Sequence, residues 1–150
     1  MDSELSKGVH FMPFKNLDAS DRGDGIVTKS ITTTDQGAEN IRTGFTHIRV
    51  KGVVPMHTHN CEEQITVLEG RLRTRVGDQT FEAGPMDSYF IYAGVPHGFT
   101  NIGDVPVTLM FIYGASYVTR TFMETGETVD HVDNRDLVPP PTPVKTRKAV

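Results

Sequence analysis

The stretch that decides the fold runs from Gly52 to Gly70, G-V-V-P-M-H-T-H-N-C-E-E-Q-I-T-V-L-E-G. His57 and His59 stand two apart, so on a strand both imidazoles point to one face. Glu63 has the same parity. Parity alone does not bring it close, because six extended residues span about 20 Å. Ligands around one metal hold their donor atoms within about 4 Å of each other, at bonds of about 2.1 Å. The chain must therefore bend between His59 and Glu63. Asn60-Cys61 is the expected place, because asparagine tolerates turn conformations. Glu63 then opens a second strand with Ile65, Val67 and Leu68 as its apolar body and Gly70 as its end.

Downstream, Ala93–Asn101 reads A-G-V-P-H-G-F-T-N. Gly94 and Pro96 form a rigid turn that aims His97 inward. His57, His59, His97 and Glu63 thus make a candidate metal site that draws on three of the chain's six histidines. Three neutral imidazoles and a carboxylate suit Fe(II), Mn(II), Co(II), Ni(II) or Zn(II). In an octahedral arrangement two positions stay open for substrate, water or dioxygen.

Outward from these motifs, the chain from Ile26 breaks into short segments rich in Val, Ile, Thr and Phe, bounded by Gly, Asp, Asn and Pro. Strands are expected near 26–34, 41–50, 53–59, 63–69, 71–76, 79–82, 88–92, 97–101, 105–114 and 117–123. Many short strands parted by turns predict an antiparallel sandwich or barrel. Residues 1–25 are polar and Gly-rich and are expected to form an N-terminal arm. The barrel is expected over 26–136. Residues 137–150 begin L-V-P-P-P-T-P, which cannot hold a central strand because proline donates nothing to a ladder; they are expected to be an extended or disordered tail.

Composition narrows the classes. With 150 residues and 37% hydrophobic content, one domain with a real core is expected. A net charge of −4 with no basic stripe argues against nucleic acid. No apolar run is long enough to span a membrane. The charged start M-D-S-E-L-S-K lacks a secretory segment, and the single cysteine, Cys61, cannot make an internal disulfide. A cytoplasmic protein is expected.

The two motifs resemble those of the cupin family. The first, G-x5-H-x-H-x3-4-E-x6-G, is matched by Gly52, His57, His59, Glu63 and Gly70, with the leading gap one residue short; its spacing selects Glu63 over Glu62. The second, G-x5-P-x-G-x2-H-x3-N, is matched at Gly94, His97 and Asn101, with Tyr92 at the proline position and, for the leading glycine, either Met86 or Gly84 with two extra residues. The resemblance implies an all-β, cupin-type double-sheet jelly-roll barrel, a metal inside it, and a homodimer. It implies an enzyme acting on a small oxygenated molecule bound at the metal, by dioxygenase-like, oxidoreductase chemistry or as a Lewis-acid isomerase, lyase or decarboxylase; the ligand set does not choose, and the lack of an evident acid or base beside the motifs favours the first. A non-catalytic binding or sensing cupin is the other class.

The remaining candidates have plainer expectations. Cys61 reads as a small buried hydrophobe. Glu62 and Gln64 point away from the metal. Arg71, Arg73 and Arg75 share one solvated or subunit-facing edge. His47 and Arg49 share a face, read as surface. Phe99, Met110 and Ile112 are apolar candidates for the pocket mouth or the core. His10 and His131 are assigned to terminal arms without a chemical role, and no residue beyond the four ligands stands out as an acid or base.

Overall fold

A computed structural model describes residues 8–131. In chain order the strands are β1 (Ala19–Gly23), β2 (Ile26–Ser30), β3 (Arg42–Ile48), β4 (Val53–His59), β5 (Glu63–Glu69) and β6 (Leu72–Val76). They continue with β7 (Gln79–Ala83), β8 (Ser88–Ile91), β9 (His97–Asn101), β10 (Val107–Tyr113), β11 (Thr119–Phe122) and β12 (Thr128–Asp130). Among the described residues the only helical turns are two short 3₁₀ segments.

The strands form two six-stranded antiparallel sheets, ordered β1-β2-β3-β10-β5-β8 and β12-β11-β4-β9-β6-β7. The chain is all-β, and the two layers are those of a jelly roll. Alternation decides which side chains fill the space between them. On β3, Thr46 and Ile48 are buried while Phe45 and His47 are only partly so; on β10, Val107, Leu109, Phe111 and Tyr113 are buried and their neighbours less so. Ile48, Val54, Ile65, Val67, Leu72 and Ile91 join them in one core cluster.

Every expected strand is present, and two strands were not expected. β1 lies within the stretch assigned to the N-terminal arm, yet it pairs with β2 from Ala19↔Lys29 to Gly23↔Ile26. Its sequence, A-S-D-R-G, carries no strand-forming side chains. What holds it is tertiary: the ladder to β2, and Arg22, 3% exposed, donating to Thr28 Oγ1 at 2.8 Å. β12 pairs with β11 and brings the chain back over the barrel. Near Thr34 the expected first strand gives way to a 3₁₀ turn with a capping box formed by Thr33 and Gln36. The expected C-terminal tail, 137–150, lies outside the described residues.

Met86, at the position where the family motif has glycine, keeps the left-handed backbone with φ of 72°. Its side chain is 77% exposed, so no packing adds to the intrinsic cost of that conformation for a residue with a Cβ. The turn into β8 therefore forms despite the substitution.

Candidate metal centre

β4 and β5 lie in different sheets, so the chain must cross the barrel wall between His59 and Glu63. It does so through bends at Asn60 and Cys61, as the spacing predicts. Asn60 ties this crossing down: its Nδ2 donates to Tyr117 O at 3.0 Å and its Oδ1 accepts from Thr119 N at 2.8 Å. Glu63 thereby faces the histidines from the opposite sheet. Glu62 and Gln64 are exposed, and Glu63 is 4% exposed.

The third imidazole arrives through strand pairing. β9 runs beside β4 with His97 opposite His57. Gly98 permits this approach, since a Cβ there would lie 2.8 Å from Val54 O and 3.1 Å from Met56 N. Gly94, with φ of 78°, makes the preceding turn and donates its N–H to His59 O at 3.0 Å.

The imidazoles are oriented by their far nitrogens. His57 Nδ1 donates to Pro55 O at 2.6 Å, His59 Nδ1 to Thr119 O at 2.8 Å, and His97 Nδ1 to Val95 O at 2.9 Å. With the protons on Nδ1, each Nε2 presents a lone pair, the tautomer that a metal ligand needs. These lone pairs converge. His57 Nε2 and His59 Nε2 are 3.2 Å apart, and Glu63 Oε1 lies 3.0 Å from His97 Nε2 and 3.6 Å from His59 Nε2. One ligand atom from each histidine lies within 4.8 Å of the others, so the three could hold one metal ion.

Burial sets the charge state. It holds the His57 imidazole well below its ordinary range, with the Arg120 charge adding to it, and holds His59 down to about 3. Burial alone would push the Glu63 carboxyl up; His59, His97 and Arg120 outweigh it and keep the carboxyl below its ordinary value. Neutral imidazoles and an ionised carboxylate are the forms that coordinate cations.

Beside this cluster is a small cavity. Val54, Phe99, Leu109 and Phe111 give it apolar walls, and Arg22, Tyr113, Arg120 and His131 bring polar groups into it. The Tyr113 hydroxyl lies 3.3 Å from His59 Nε2 and 2.9 Å from His131 Nε2. Burial pushes that hydroxyl well above its usual range and His131 well below its own.

Several assignments from sequence change here. His131, placed in a peripheral arm, is 5% exposed and lines the cavity. Tyr113, Arg120 and Arg22 were not singled out at all. Parity marks two of them after the fact: Tyr113 continues the inward series Val107, Leu109, Phe111, and Arg120 shares the inward side of β11 with Phe122. Phe99 lines the cavity, whereas Met110 and Ile112 sit on the other face of β10. His47 and Arg49 face outward, Arg49 pairing with Asp24 at 2.9 Å, and Thr46 takes the inward place. Arg71 and Arg73 are exposed and bridge Glu82 at 2.7 and 3.6 Å. Cys61 is buried, and His10 is exposed.

Residues 44–113 match the family model described as Cupin domain. No curated protein matches the chain. Among solved structures, it is similar to an RmlC-like cupin from Shewanella frigidimarina, at 17% identity and a TM-score of 0.64, over 72% of this chain and 92% of that one. The polyketide cyclase RemF from Streptomyces resistomycificus matches at 21% identity and a TM-score of 0.65, over 85% and 89% of the two chains. A sugar phosphate isomerase of the cupin superfamily from Silicibacter pomeroyi matches at 14% and 0.64, over 83% and 94%. At these identities the likeness concerns the fold. Motifs, family match and architecture agree: the chain resembles the metal-binding cupins, and the barrel it folds into is a cupin barrel.

Proposed function

We propose that the protein is a mononuclear divalent-metal enzyme acting on a small oxygenated organic molecule, with His57, His59, Glu63 and His97 as the ligands. The observation behind this reading is the convergence of three buried imidazoles, two of whose Nε2 atoms also approach one Glu63 oxygen. Acceptors packed this closely repel one another unless a cation sits among them. Fe(II), Mn(II), Co(II), Ni(II) and Zn(II) all suit this donor set. A metal bound there would supply Lewis-acid polarisation of a substrate oxygen or a place to activate dioxygen.

The chain's own residues do the rest. The three carbonyl contacts fix the imidazole planes before any ligand arrives. The apolar walls keep bulk water from the bound molecule. Tyr113 retains its proton under burial and holds it at a hydroxyl within 2.9 Å of His131 Nε2. That pair can hold or pass a proton beside the centre, which favours a reaction without net oxidation, such as an isomerase, lyase or decarboxylase step. Oxygen chemistry of the dioxygenase type is the second reading, supported by the apolar walls around a centre with open positions. The sequence alone favours it for want of an acid or base, a ground that Tyr113 and His131 remove.

The test compares metal-loaded protein with and without oxygen against hydroxy acids, 1,3-diketones and catechols. Turnover under anaerobic conditions, lost in Tyr113→Phe while metal content is kept, supports the first reading. Turnover that requires stoichiometric oxygen uptake supports the second. Turnover of nothing in either condition favours a binding role. Assembly as a homodimer belongs to the same proposal; the exposed Phe90 and Tyr92 on and just after edge strand β8 offer apolar surface for it, and light scattering checks it.

A further inference from the structure

As folded, the barrel does not admit an organic molecule. His57, His59, Glu63 and His97 are buried, and the enclosed space beside them has room for about one water molecule. A site for an organic ligand takes roughly 300 Å³ or more. A wall must therefore move before anything larger than water reaches the cluster. The lining supplied by β3, β4, β5, β9, β10 and β11 stands on strands paired on both sides. Only two lining residues come from the sheet edges. Arg22 lies on β1, in a ladder that runs from Ala19 to Gly23, and donates to Thr28. His131 follows β12, the outer strand of its sheet among the described residues. β12 is three residues long and buries none of its own side chains fully. It is held by the pairs Thr119↔Asp130, Arg120↔Val129 and Thr121↔Thr128, by Tyr117 Oη donating to Asp130 Oδ1 at 2.6 Å on the surface, and by the His131 N–H donating to Val118 O at 3.0 Å. Exposed backbone hydrogen bonds with little apolar burial are the first to open in a folded protein. Gly126, with φ of 73° in the turn between β11 and β12, is a point about which the strand can swing. What the strand carries inward is the His131 ring, which packs on Tyr113 at 4.9 Å and Phe111 at 5.7 Å and comes within 5.8 Å of the His59 ring.

We propose that β12 and His131 form a gate: the strand parts from β11, the His131 ring withdraws from Tyr113, and the cavity beside the histidine cluster opens to a small organic molecule. This rests on the proposed function only in taking the cluster as the place such a molecule must reach. The opening itself is a property of the metal-free chain.

The test locks the strand. Thr119 and Asp130 stand one step from the hydrogen-bonded Val118–His131 pair, so their side chains are close enough to bridge. The full chain carrying Thr119→Cys and Asp130→Cys, stripped of metal, is treated with diethyl pyrocarbonate in its oxidised and reduced forms. Peptide mass spectrometry follows each histidine, with exposed His10 as the internal reference. The reduced form is expected to label at His131 and at the three cluster histidines at least about tenfold faster than the oxidised form, with His10 equal in both. Hydrogen exchange on the unaltered chain is the second readout: the Val129 and His131 amides should exchange at least about tenfold faster than those of β4 and β9, which marks a local opening. Equal labelling of the cluster in the two forms would overturn the gate, as would β12 amides protected as well as those of β4. If the disulfide does not form, the exchange comparison decides alone. Failure of the unaltered chain to bind Zn(II), with lock-dependent labelling intact, would overturn the metal reading and leave the gate standing.

Discussion

Asn101 closes the second motif, and its structure allows a quantitative prediction. The residue is 2% exposed. Its Nδ2 donates to Ile48 O at 3.2 Å, Arg49 O at 3.1 Å and Val105 O at 2.9 Å, and its Oδ1 accepts from Gly103 N at 3.0 Å. One side chain thus fastens the end of β9 both to the β3–β4 turn and to the loop entering β10. Asn101→Ala removes all of these contacts. A net loss of about 1 kcal/mol per hydrogen bond, offset where water reaches the freed carbonyls, gives about 2–4 kcal/mol. Urea unfolding followed by tyrosine fluorescence or circular dichroism measures it as a lower midpoint with an unchanged slope. Asn101→Asp should cost more than Asn101→Ala, because a carboxylate would face three carbonyl oxygens. Asn60→Ala, which breaks exposed contacts, should cost less. A loss below about 1 kcal/mol for Asn101→Ala would refute the idea that this residue fastens the barrel.

Three further predictions concern other parts of the molecule. Met86→Gly should stabilise the protein by about 0.5–1 kcal/mol, since glycine relieves a left-handed conformation at an exposed residue; a loss of stability would contradict this. Burial pushes the Cys61 thiol up to about 11, so it should resist a thiol reagent at pH 8 in the folded protein and react once urea unfolds it; rapid labelling of the native state would argue against burial. Metal-free protein should lose stability as pH falls below 6.5. The unfolded chain binds a proton at His59 near that value, whereas the folded chain refuses it until about 3, so each pH unit in that window costs about 1.4 kcal/mol per group. A flat stability profile between pH 6.5 and 4 would count against neutral buried imidazoles.

The grouping of the three histidines and Glu63 was legible in the sequence because its constraints are local. A two-residue step put His57 and His59 on one face, the turn at Asn60-Cys61 brought Glu63 round, and Gly94-Val95-Pro96 aimed His97. Each depends on a few neighbouring residues. β1 was not legible, because A-S-D-R-G becomes a strand only through its ladder to β2 and through Arg22 burying itself beside Thr28. The polar lining was hidden for a related reason. An arginine in T-R-T-F reads as surface until the pairing of β11 with β4 turns it inward, and His131 gains its place only after β12 folds back along β11. Long-range pairing, which no local pattern encodes, decided both. Thr46 and His47 show the intermediate case: alternation established that one faces in and the other out, and only the packed sheets determined which.

The central claim is that His57, His59, Glu63 and His97 hold one divalent metal ion, and elemental analysis of purified protein tests it most directly. Wild-type protein, reconstituted anaerobically with Fe(II), Mn(II) or Zn(II) and then desalted, should carry one metal ion per chain. His97→Ala should lose it while keeping the β-sheet circular dichroism of the parent. Metal-free wild type after reconstitution, or full occupancy in His97→Ala, would contradict the account.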